Sequence, residues 1–428
     1  MVKFLTKKVD IAVIGAGPAG LMAAVGAALL GRNVEIYEKN DIIGKKLLIT
    51  GKGRCNVTND CSIQDMVEAF APNGRFLYSA LNGFDVQDTK EFFENLGVEL
   101  KVERGRRVFP VSDSAKDIRD AILKYAKKLG VVVIKNSGVK KVIAKDGKVT
   151  ELVLSSSDRV SVNSVIIATG GASYPLTGST GDGYQMAEAL GHTIIPPLPA
   201  LVPLETEEKW PQDLMGLALK NVELKLYDND KLIGKEFGEM LFTHFGVSGP
   251  IVLTLSRHIC SVLRKNIDFL NKKFVLSLDL KPALDEEVLD KRIQRDLLAA
   301  SKKKLKNSLD KLLPLNLIPY IIKLSGVDPE VQANQVSKIQ REALVKTLKN
   351  VEFHVSGTRP LAEAIVTSGG VKLSEVNSKN MESKLINGLY FAGEILDIDA
   401  VTGGYNIQAA LSTGILAGKS AAMMADDI

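Results

Sequence analysis

The 428-residue chain is long enough to bury a large core, and its length predicts two or three domains. Its 45% hydrophobic and 25% charged residues are ordinary for a globular protein, and its net charge of +5 suits an anionic ligand without arguing for nucleic acid. Cys55, Cys61 and Cys260 show no CxxC pair and no metal-ligand spacing, so we expect no metal site and a reducing, cytoplasmic setting.

The first elements predict a parallel unit built around a glycine-rich turn. VDIAVI at 9–14 is typical of a buried strand, GAGPAG follows as a turn, residues 21–30 predict a helix closed by Gly31, and VEIYE predicts a second strand. The uncharged run 11–31 also mimics a membrane span. The glycines in its first half favour a buried strand and helix instead, so we expect no membrane segment.

The turn matches GxGxxG, the fingerprint of dinucleotide-binding folds. Its first glycine permits the tight turn, the second lets the backbone approach a pyrophosphate, and the third lets helix and strand pack closely. The N-terminus of the helix then offers free N–H groups to the phosphates. An acid ends the next strand, where a carboxylate can accept hydrogen bonds from ribose hydroxyls. We therefore predict a dinucleotide site formed by Gly15, Ala16, Gly17, Pro18, Ala19, Gly20, Glu38 and the adjacent Lys39.

The following stretch changes from helices to strands. Residues 85–97 and 115–130 predict helices, each ending near a glycine, and several strands follow from 131 onward. Asp146-Gly147 is a strong hairpin signal between two of these strands. A strand at 164–168 runs directly into the sequence TGG.

The second half of the chain predicts an insertion. Four prolines in PPLPALVPL mark a boundary, after which come short strands and a lysine-rich helical segment at about 284–325. Near 355 the pattern of parallel strands and helices returns, with LYFAGEILDID and a C-terminal helix of small residues. We expect a nucleotide-binding domain at 1–193 and 356–428, interrupted at 194–355 by a β-rich and helical region.

Three features favour FAD over NAD as the dinucleotide. GxGxxG lies at the start of a long chain, VIIATGG follows a strand-rich stretch, and LYFAGE precedes the last helix. In flavoproteins with this layout the last element brings an acid to the ribityl chain, and the next helix N-terminus faces the flavin pyrimidine. TGGYN would supply N–H donors there, its alternative being an ordinary loop with an N-cap. The predicted contacts are Thr169, Gly170, Gly393, Glu394, Gly404 and Asn406.

The basic, glycine-rich stretch GKGRCNVTND at 51–60 allows several interpretations. It fails the GxxxxGK[ST] pattern of a P-loop. A redox dithiol is the serious alternative, but disulfide reductases of this fold use C-x4-C, whereas Cys55 and Cys61 have five residues between them. The favoured interpretation is a strap over the cofactor, in which the glycines allow close approach and the first cysteine packs. It contributes Gly53, Arg54, Cys55 and Asn56.

Five stretches together resemble one family: GKGRCNVTN, STGDGYQMAEALGH, EMLFTHFGVSGP, VTSGGVKLSEV and the long run from MESKLINGLYFAGE to STGILAG. They are similar to the bacterial BaiN-like flavoprotein family, which includes aminoacetone oxidases and YhiN-type proteins. The resemblance covers nearly the whole chain. It implies an α/β fold: a glutathione-reductase-type, Rossmann-like FAD-binding domain interrupted by a small β-rich domain and a helical subdomain.

The resemblance also implies site residues. By position, it adds Lys45, Lys46, the backbone near Val139 and the N–H of Ile407 to the FAD contacts given above. It gives His244 the best claim of the four histidines to lie near substrate, with Arg54 as the other weak catalytic candidate. One departure is Lys52, where relatives more often have glycine.

These observations predict an FAD-dependent oxidoreductase in which flavin N5 exchanges a hydride with a small organic substrate. The resemblance implies either NAD(P)H-linked reduction of an unsaturated compound or oxygen-linked oxidation of a small amine. A dithiol reductase and a flavin-binding protein without a main enzymatic role stay open. No second GxGxxG follows a strand, so NAD(P)H is expected to visit transiently. The lysine run 302–306 predicts a solvated helix face, and we expect no nucleic-acid or membrane partner.

Overall fold

The computed structural model describes residues 8–264 and 273–424. The chain forms two compact units. The first combines the residues up to Ala200 with those from Leu361 onward, and the second is Leu201–Pro360. The sequence placed the interruption at 194–355.

The first unit contains a mixed sheet, two small sheets and their helices. Its strands are β1 (Lys8–Ile14), β2 (Val34–Tyr37), β3 (Thr58–Asn59), β4 (Leu100–Glu103), β5 (Arg107–Pro110), β6 (Val132–Ile134), β7 (Val139–Lys145), β8 (Lys148–Leu154), β9 (Arg159–Ile167), β10 (Ile194–Ala200), β17 (Val366–Val371) and β18 (Leu389–Phe391). Its helices are α1 (Pro18–Ala28), α2 (Lys45–Ile49), α3 (Ile63–Ala69), α4 (Tyr78–Gly83), α5 (Val86–Asn95), α6 (Ala115–Lys128), α7 (Asp182–Ala189) and α13 (Tyr405–Met424).

The mixed sheet has the strand order β6-β2-β1-β9-β8-β7, and β18 also pairs with β9. The strands β6, β2, β1, β9 and β18 pair in parallel, so their carboxyl ends share one edge. Ligands of such sheets bind at that edge. The α1 helix is buried along nearly its whole length and packs along α13, which explains the uncharged run near the N-terminus without a membrane. Among the described residues, no helix is long and apolar enough to cross a membrane.

The second unit is a small closed barrel with helices. Its strands are β11 (Leu204–Thr206), β12 (Ala218–Asp228), β13 (Lys231–Thr243), β14 (Gly246–Ser248), β15 (Phe274–Asp279) and β16 (Val351–Thr358), in the order β11-β14-β13-β12-β15-β16. Its helices are α8 (Trp210–Asp213), α9 (Pro250–Leu263), α10 (Glu286–Ala299), α11 (Ile318–Ser325) and α12 (Lys338–Lys349). It has its own apolar core, so the predicted β-rich and helical insertion is confirmed as part of the fold.

One local prediction was wrong. Parallel strands do not return near 355, because β16 closes the antiparallel barrel there. Parallel pairing resumes only with β18. The proline-rich stretch contains the division between the two units, as predicted, and its first residues also form β10, which pairs antiparallel with β17. Its register shifts between Ile195 and Leu198, where Pro196 and Pro197 cannot donate to a ladder. The short sequence signals could not reveal these partners, which lie far away along the chain.

Candidate functional site

The glycine turn lies at the carboxyl end of β1, as its sequence predicts. The backbone N–H of Gly15 donates to Tyr37 at 2.9 Å, which joins the turn to the end of β2. A Cβ on Gly20 would lie 1.9 Å from the carbonyl oxygen of Gly15, so only glycine allows this approach of helix and turn. A Cβ on Gly17 would meet nothing within 4 Å. The backbone therefore faces open space at the N-terminus of α1, where an anion is favoured.

Glu38 is buried directly beside this turn. One carboxylate oxygen accepts from the backbone N–H of Ala16 at 2.8 Å, and the other accepts from the backbone and side-chain N–H groups of Asn40, both at 2.8 Å. The backbone carbonyl of Glu38 accepts from Ser137 at 2.8 Å, which brings the start of β7 at Val139 close to the same point. The predicted adenosine end of the site is thus assembled from three separate segments.

Lys39 extends away from this carboxylate. Its ammonium nitrogen lies 2.6 Å from a carboxylate oxygen of Asp182, at the start of α7, and 2.5 Å from the hydroxyl of Thr180. The ammonium group holds the pKa of Asp182 below its usual range, although burial opposes this. The side chain of Lys39 therefore fixes the start of α7.

An ion pair joins two of the predicted contacts in the middle of the site. The ammonium of Lys46, on α2, lies 2.8 Å from a carboxylate oxygen of Glu394, and both side chains are only about one-fifth exposed. The other carboxylate oxygen accepts from the backbone N–H of Thr367 at 2.9 Å and from the Ser173 hydroxyl at 3.3 Å. Lys45 lies on the same short helix, half-buried. This network ties α2 to the end of β18.

The predicted glycines after β9 and β18 lie against the first turn. A Cβ on Gly15 would lie 2.7 Å from the carbonyl oxygen of Ala168 and 3.1 Å from Thr169. The residue before Glu394, Gly393, approaches Ala19 so closely that an added Cβ would lie 2.7 Å from the Cβ there. Gly170, which follows Thr169, adopts a positive φ of 73°. The three glycine-marked elements that the sequence singled out therefore converge at one sheet edge.

The strap adopts an unusual backbone. Gly51, Lys52, Gly53 and Cys55 all have positive φ, at 57°, 58°, 85° and 59°. Two of these are not glycine, and such a conformation costs on the order of 1–3 kcal/mol per residue. Cys55 is fully buried, and its N–H donates to Thr50 at 3.0 Å, which closes the loop.

The thiols in this region are poorly suited to redox exchange. None of the described cysteines forms a disulfide. Burial raises the pKa of Cys55 to about 12 and that of Cys61 to about 11, so both are protonated near neutral pH. A dithiol mechanism needs a thiolate, and neither side chain supplies one readily.

The strap leads into β3, which meets the loop before α13. The backbone carbonyl oxygen of Thr58 would lie 2.3 Å from a Cβ on Gly404, so only glycine fits. The side-chain amide of Asn59 donates to the carbonyl of Gly403 at 3.1 Å. The side chain of Asn406 exchanges two hydrogen bonds with the backbone of Ala400, at 3.0 and 3.1 Å, and so closes the loop. Ile407 follows in the first turn of α13.

Three buried oxygen atoms in this segment have no hydrogen-bond partner in the described structure: Oδ1 of Asn56, Oγ1 of Thr58 and Oδ1 of Asn59. An unpaired buried polar atom costs about 1–3 kcal/mol, so each of these three oxygens indicates a missing polar partner. The pyrimidine edge of a flavin carries both N–H and carbonyl groups and meets this requirement. The residues therefore fit the predicted flavin, next to the Gly403–Gly404 loop.

The two catalytic candidates have different surroundings. The Arg54 guanidinium pairs with Glu103 and, at 2.7 Å, with Asp113, and it lies 4.1 Å from the ring centre of Phe109. Through these contacts Arg54 joins the strap to the sheet of β3, β4 and β5. His244 belongs to the second unit and is exposed on the turn between β13 and β14.

Sequence reasoning missed several participants: Ser173, Asp182, Thr367, Thr58 and Asn59. Thr58, Asn59, Asp182 and Thr367 lie inside the quoted stretches GKGRCNVTN, STGDGYQMAEALGH and VTSGGVKLSEV, which were the available signal. Ser173 lies outside them, is a common residue type, and acts through partners distant in sequence. Across 8–264 and 273–424, no group of three or more His, Cys, Asp or Glu residues is arranged to hold a metal ion.

Comparison with known proteins gives consistent matches. A family profile described as "HI0933-like protein Rossmann domain" matches residues 9–420. The chain is 31% identical to the 3-dehydro-bile acid delta(4,6)-reductase of Clostridium scindens, over 96% of this chain and 98% of that protein. It is 34% identical to the ribosomal RNA dihydrouridine synthase of Haemophilus influenzae, over 94% and 95%.

Among solved structures, the chain resembles a 3-ketosteroid-delta4-(5alpha)-dehydrogenase from Rhodococcus jostii, with a TM-score of 0.52 and 16% identity over 99% of this chain and 98% of that one. At this identity the likeness establishes the fold alone. It confirms the predicted α/β architecture with an interrupted nucleotide-binding domain.

Proposed function

Because this chain belongs to the family of the HI0933-like protein Rossmann domain, we propose that it reduces a carbon–carbon double bond conjugated to a carbonyl group. At the coarser level, it is an FAD-dependent oxidoreductase, and FAD is its cofactor, as the sequence predicted.

The main support for this proposal is that two relatives, each matched over nearly its whole length, have names that describe the same type of reaction. A delta(4,6)-reductase of a 3-dehydro-bile acid saturates double bonds in a steroid bearing a carbonyl group. A dihydrouridine synthase saturates the ring double bond of uracil, which is conjugated to a ring carbonyl. These scaffolds differ, but the reacting group is the same polarised alkene. This favours reduction of an unsaturated compound over oxidation of an amine, the alternative left open by the sequence.

We assign the residues of the first unit to parts of FAD. Glu38 and the turn Gly15–Gly20 would bind the adenosine and pyrophosphate, and Lys46 with Glu394 would face the ribityl chain. The strap and the Gly403–Gly404 loop would hold the flavin pyrimidine through the three unpaired oxygens and backbone N–H groups. FAD bound there and reduced by a donor would supply the hydride, while these residues would fix its orientation.

The electron donor in this proposal is a nicotinamide nucleotide that binds transiently. No second strand–GxGxxG–helix unit occurs in the sequence. The closest run, GSTGDG, lies in a loop whose Gly181 precedes α7 as its N-cap. A donor without a preformed phosphate-binding turn would bind weakly.

Product analysis tests the proposal. The FAD-loaded protein, given NADPH without oxygen, should convert a conjugated enone into a product heavier by two hydrogens. An isolated alkene of the same skeleton is the control, and it should stay unchanged because its double bond is not polarised. Turnover of a small amine with oxygen, and none of any conjugated alkene in a broad panel, would overturn the proposal.

A further inference from the structure

We propose that Ser383, His192 and Glu375 form a proton-sensitive latch, which holds the FAD-binding edge of the first unit together while His192 is neutral and loosens it when His192 takes up a proton. None of the three residues is among the predicted FAD contacts. The latch acts whatever the substrate is, and its consequence is that FAD dissociates faster in mildly acidic solution.

The imidazole of His192 is completely buried where three segments of the first unit meet. The residue itself lies between α7 and β10. Its Nε2 lies 2.8 Å from the hydroxyl oxygen of Ser383, which precedes β18, and its Nδ1 lies 3.4 Å from a carboxylate oxygen of Glu375, which follows β17. The ring also packs edge-on against Phe391 of β18, with 4.9 Å between the ring centres. One side chain therefore connects the end of α7 to β18 and to the segment that precedes it.

The hydrogen bonds of Ser383 determine which ring nitrogen of His192 carries the proton. The hydroxyl oxygen of Ser383 accepts from the backbone N–H groups of Leu385 at 3.0 Å and Ile386 at 2.9 Å, which uses both of its lone pairs. The hydroxyl must therefore donate its own hydrogen to Nε2 of His192, and the ring proton lies on Nδ1. That proton faces Glu375 without a well-aligned hydrogen bond in the described structure. The latch as seen requires a neutral imidazole.

The order of acid, histidine and serine is that of a hydrolase triad, but the serine is not placed to act as a nucleophile. Ser383 is only 5% exposed, so a substrate does not reach it. Both lone pairs of its hydroxyl oxygen are already occupied by backbone N–H groups. The three side chains therefore connect segments of the fold and do not form a second active site.

A proton on His192 is incompatible with this arrangement. The imidazolium has an N–H on both nitrogens, and the new N–H at Nε2 would face an oxygen whose lone pairs are both used. Either that contact or one of the two backbone hydrogen bonds to Ser383 must break.

The charges around the imidazole are those of Glu375 and, beyond it, Lys372. Burial lowers the pKa of His192, although Glu375 opposes this. The N–H of Thr193 and the two neighbouring cationic groups hold the pKa of Glu375 below its usual range, although burial opposes them. Glu375 therefore keeps its charge while His192 titrates, and the histidine is the group that senses pH.

Close packing connects the latch to the predicted FAD contacts. In α7, a Cβ on Gly183 would lie 2.1 Å from the hydroxyl oxygen of Thr169, so the helix lies directly against that contact. The phenolic oxygen of Tyr184, also in α7, lies 3.5 Å from the backbone carbonyl oxygen of Glu394. The β18 strand, against which the imidazole packs, ends just before Glu394. Loosening the latch would therefore release both the helix and the strand that position Thr169 and Glu394.

The sign of the pH effect follows from the two states of the latch. An open latch exposes a histidine with the ordinary pKa of about 6.5, whereas the closed latch holds that pKa lower. The stabilisation is therefore complete above about pH 6.5 and is lost as pH falls toward the lower pKa of the closed latch. If the latch lowers the pKa by about one unit or more, opening should become about three- to fivefold more favourable between about pH 6.5 and about pH 5.5.

The experiment measures the dissociation rate of FAD from the loaded protein at these two pH values, from the rise in FAD fluorescence after dilution. Wild type should release FAD about three- to fivefold faster at the lower pH. His192→Gln keeps an oxygen that can accept from Ser383 but cannot titrate, so it should lose this acceleration. His354→Gln is the matched control, because His354 is a half-exposed histidine of the second unit that pairs with Glu208 at 2.7 Å, and it should accelerate as wild type does.

A second measurement reads the latch directly and does not depend on a variant that folds. The chain has four histidines, so nitrogen-15 NMR of histidine-labelled, FAD-loaded protein can follow each ring. His192 should carry its proton on Nδ1 and titrate below about pH 6.5, whereas the hydrogen bond to Glu208 raises the pKa of His354. Ser383→Ala removes the hydroxyl and should speed FAD release at neutral pH. A proton on Nε2 of neutral His192, or acid acceleration in His192→Gln equal to that of wild type, would overturn the proposal.

Discussion

The side-chain amide of Asn59 donates a hydrogen bond to the backbone carbonyl oxygen of Gly403 at 3.1 Å, and so ties β3 to the loop that precedes α13. The same amide donates to Gly105, so both of its donors are used. This fixes the orientation of the side chain and leaves Oδ1 buried without a partner. Asn59 is thus oriented to accept a hydrogen bond from a bound group.

Replacement of Asn59 should weaken FAD binding. Asn59→Leu has a similar volume but loses both donors and the acceptor, each worth about 0.5–1.5 kcal/mol. We expect about tenfold weaker FAD affinity or more, with a shifted flavin absorption band, measured by titration of the apoprotein. Asn82→Leu is the control, because Asn82 also donates from its side-chain amide to a backbone carbonyl, but at an exposed position of α4. Equal effects of the two variants would show that Asn59 is only structural.

The second prediction concerns Glu38. Glu38→Arg removes a carboxylate that accepts from Ala16 and Asn40 and places a cation at the predicted ribose site. Loss of a hydrogen bond to a charged group costs about 1.5–3 kcal/mol, so FAD affinity should fall about 10-fold to 150-fold. Glu38→Gln keeps one acceptor and should lose less. Asp41→Asn, an exposed acid three positions on, should not change affinity. Unchanged affinity in Glu38→Arg would show that this acid is not a cofactor contact.

The pair of Lys46 and Glu394 should be energetically coupled. Removing either partner leaves the other charge partly buried, so Lys46→Met and Glu394→Gln should each lower the melting temperature. The double variant should lose less than the sum, with a coupling energy of about 0.5–3 kcal/mol in a double-mutant cycle. Strict additivity would mean that the 2.8 Å contact contributes nothing measurable.

Cys55→Ser and Cys61→Ser should each leave flavin reduction by NADPH largely intact. Both thiols are protonated near neutral pH because burial raises the pKa, to about 12 for Cys55 and about 11 for Cys61. Iodoacetamide should therefore react slowly with the native protein and quickly after unfolding. Loss of turnover in either variant with FAD still bound would revive the dithiol-reductase alternative.

The raised thiol pKa of Cys55 also predicts a pH dependence of stability. The unfolded chain ionises this thiol near its usual pKa, whereas the native protein keeps it protonated up to about 12. The contribution to the unfolding free energy is therefore complete below the unfolded pKa, about 9, and falls as pH rises toward about 12. Urea denaturation of wild type and Cys55→Ser across this alkaline range should show a steeper decline for the wild type. Parallel declines would contradict the predicted shift.

The sequence predicted the parts of this protein that depend on neighbouring residues. The turn around Gly15 and the acid at Glu38 form one strand–helix–strand unit, so their spacing alone carries the signal. The resemblance to the BaiN-like family supplied the interrupted domain, which periodicity only suggested. Local patterns could not show that β16 closes a barrel or that the proline-rich β10 finds a partner in β17.

Contacts between distant residues were beyond sequence reasoning for a physical reason. Lys46 and Glu394 are 348 positions apart, and only the folded sheet edge brings them within 2.8 Å. The role of Asn59 depends equally on two carbonyls, one of them 344 positions away. A single sequence does not show which residues of such distant segments face each other. The hydrogen bonds and ion pairs inside the site could therefore be identified only from the structure.

The most direct test of the central claim is oxidation of the reduced flavin without oxygen. The FAD-loaded protein is first reduced with NADPH, and the return of the oxidised flavin absorption is then followed by stopped flow after mixing with a conjugated enone, a uridine-containing RNA or a non-conjugated alkene. The proposed function predicts rapid, concentration-dependent reoxidation by at least one conjugated acceptor and none by the isolated alkene. Reduced flavin that is stable to every conjugated acceptor and reoxidised only by oxygen would contradict it.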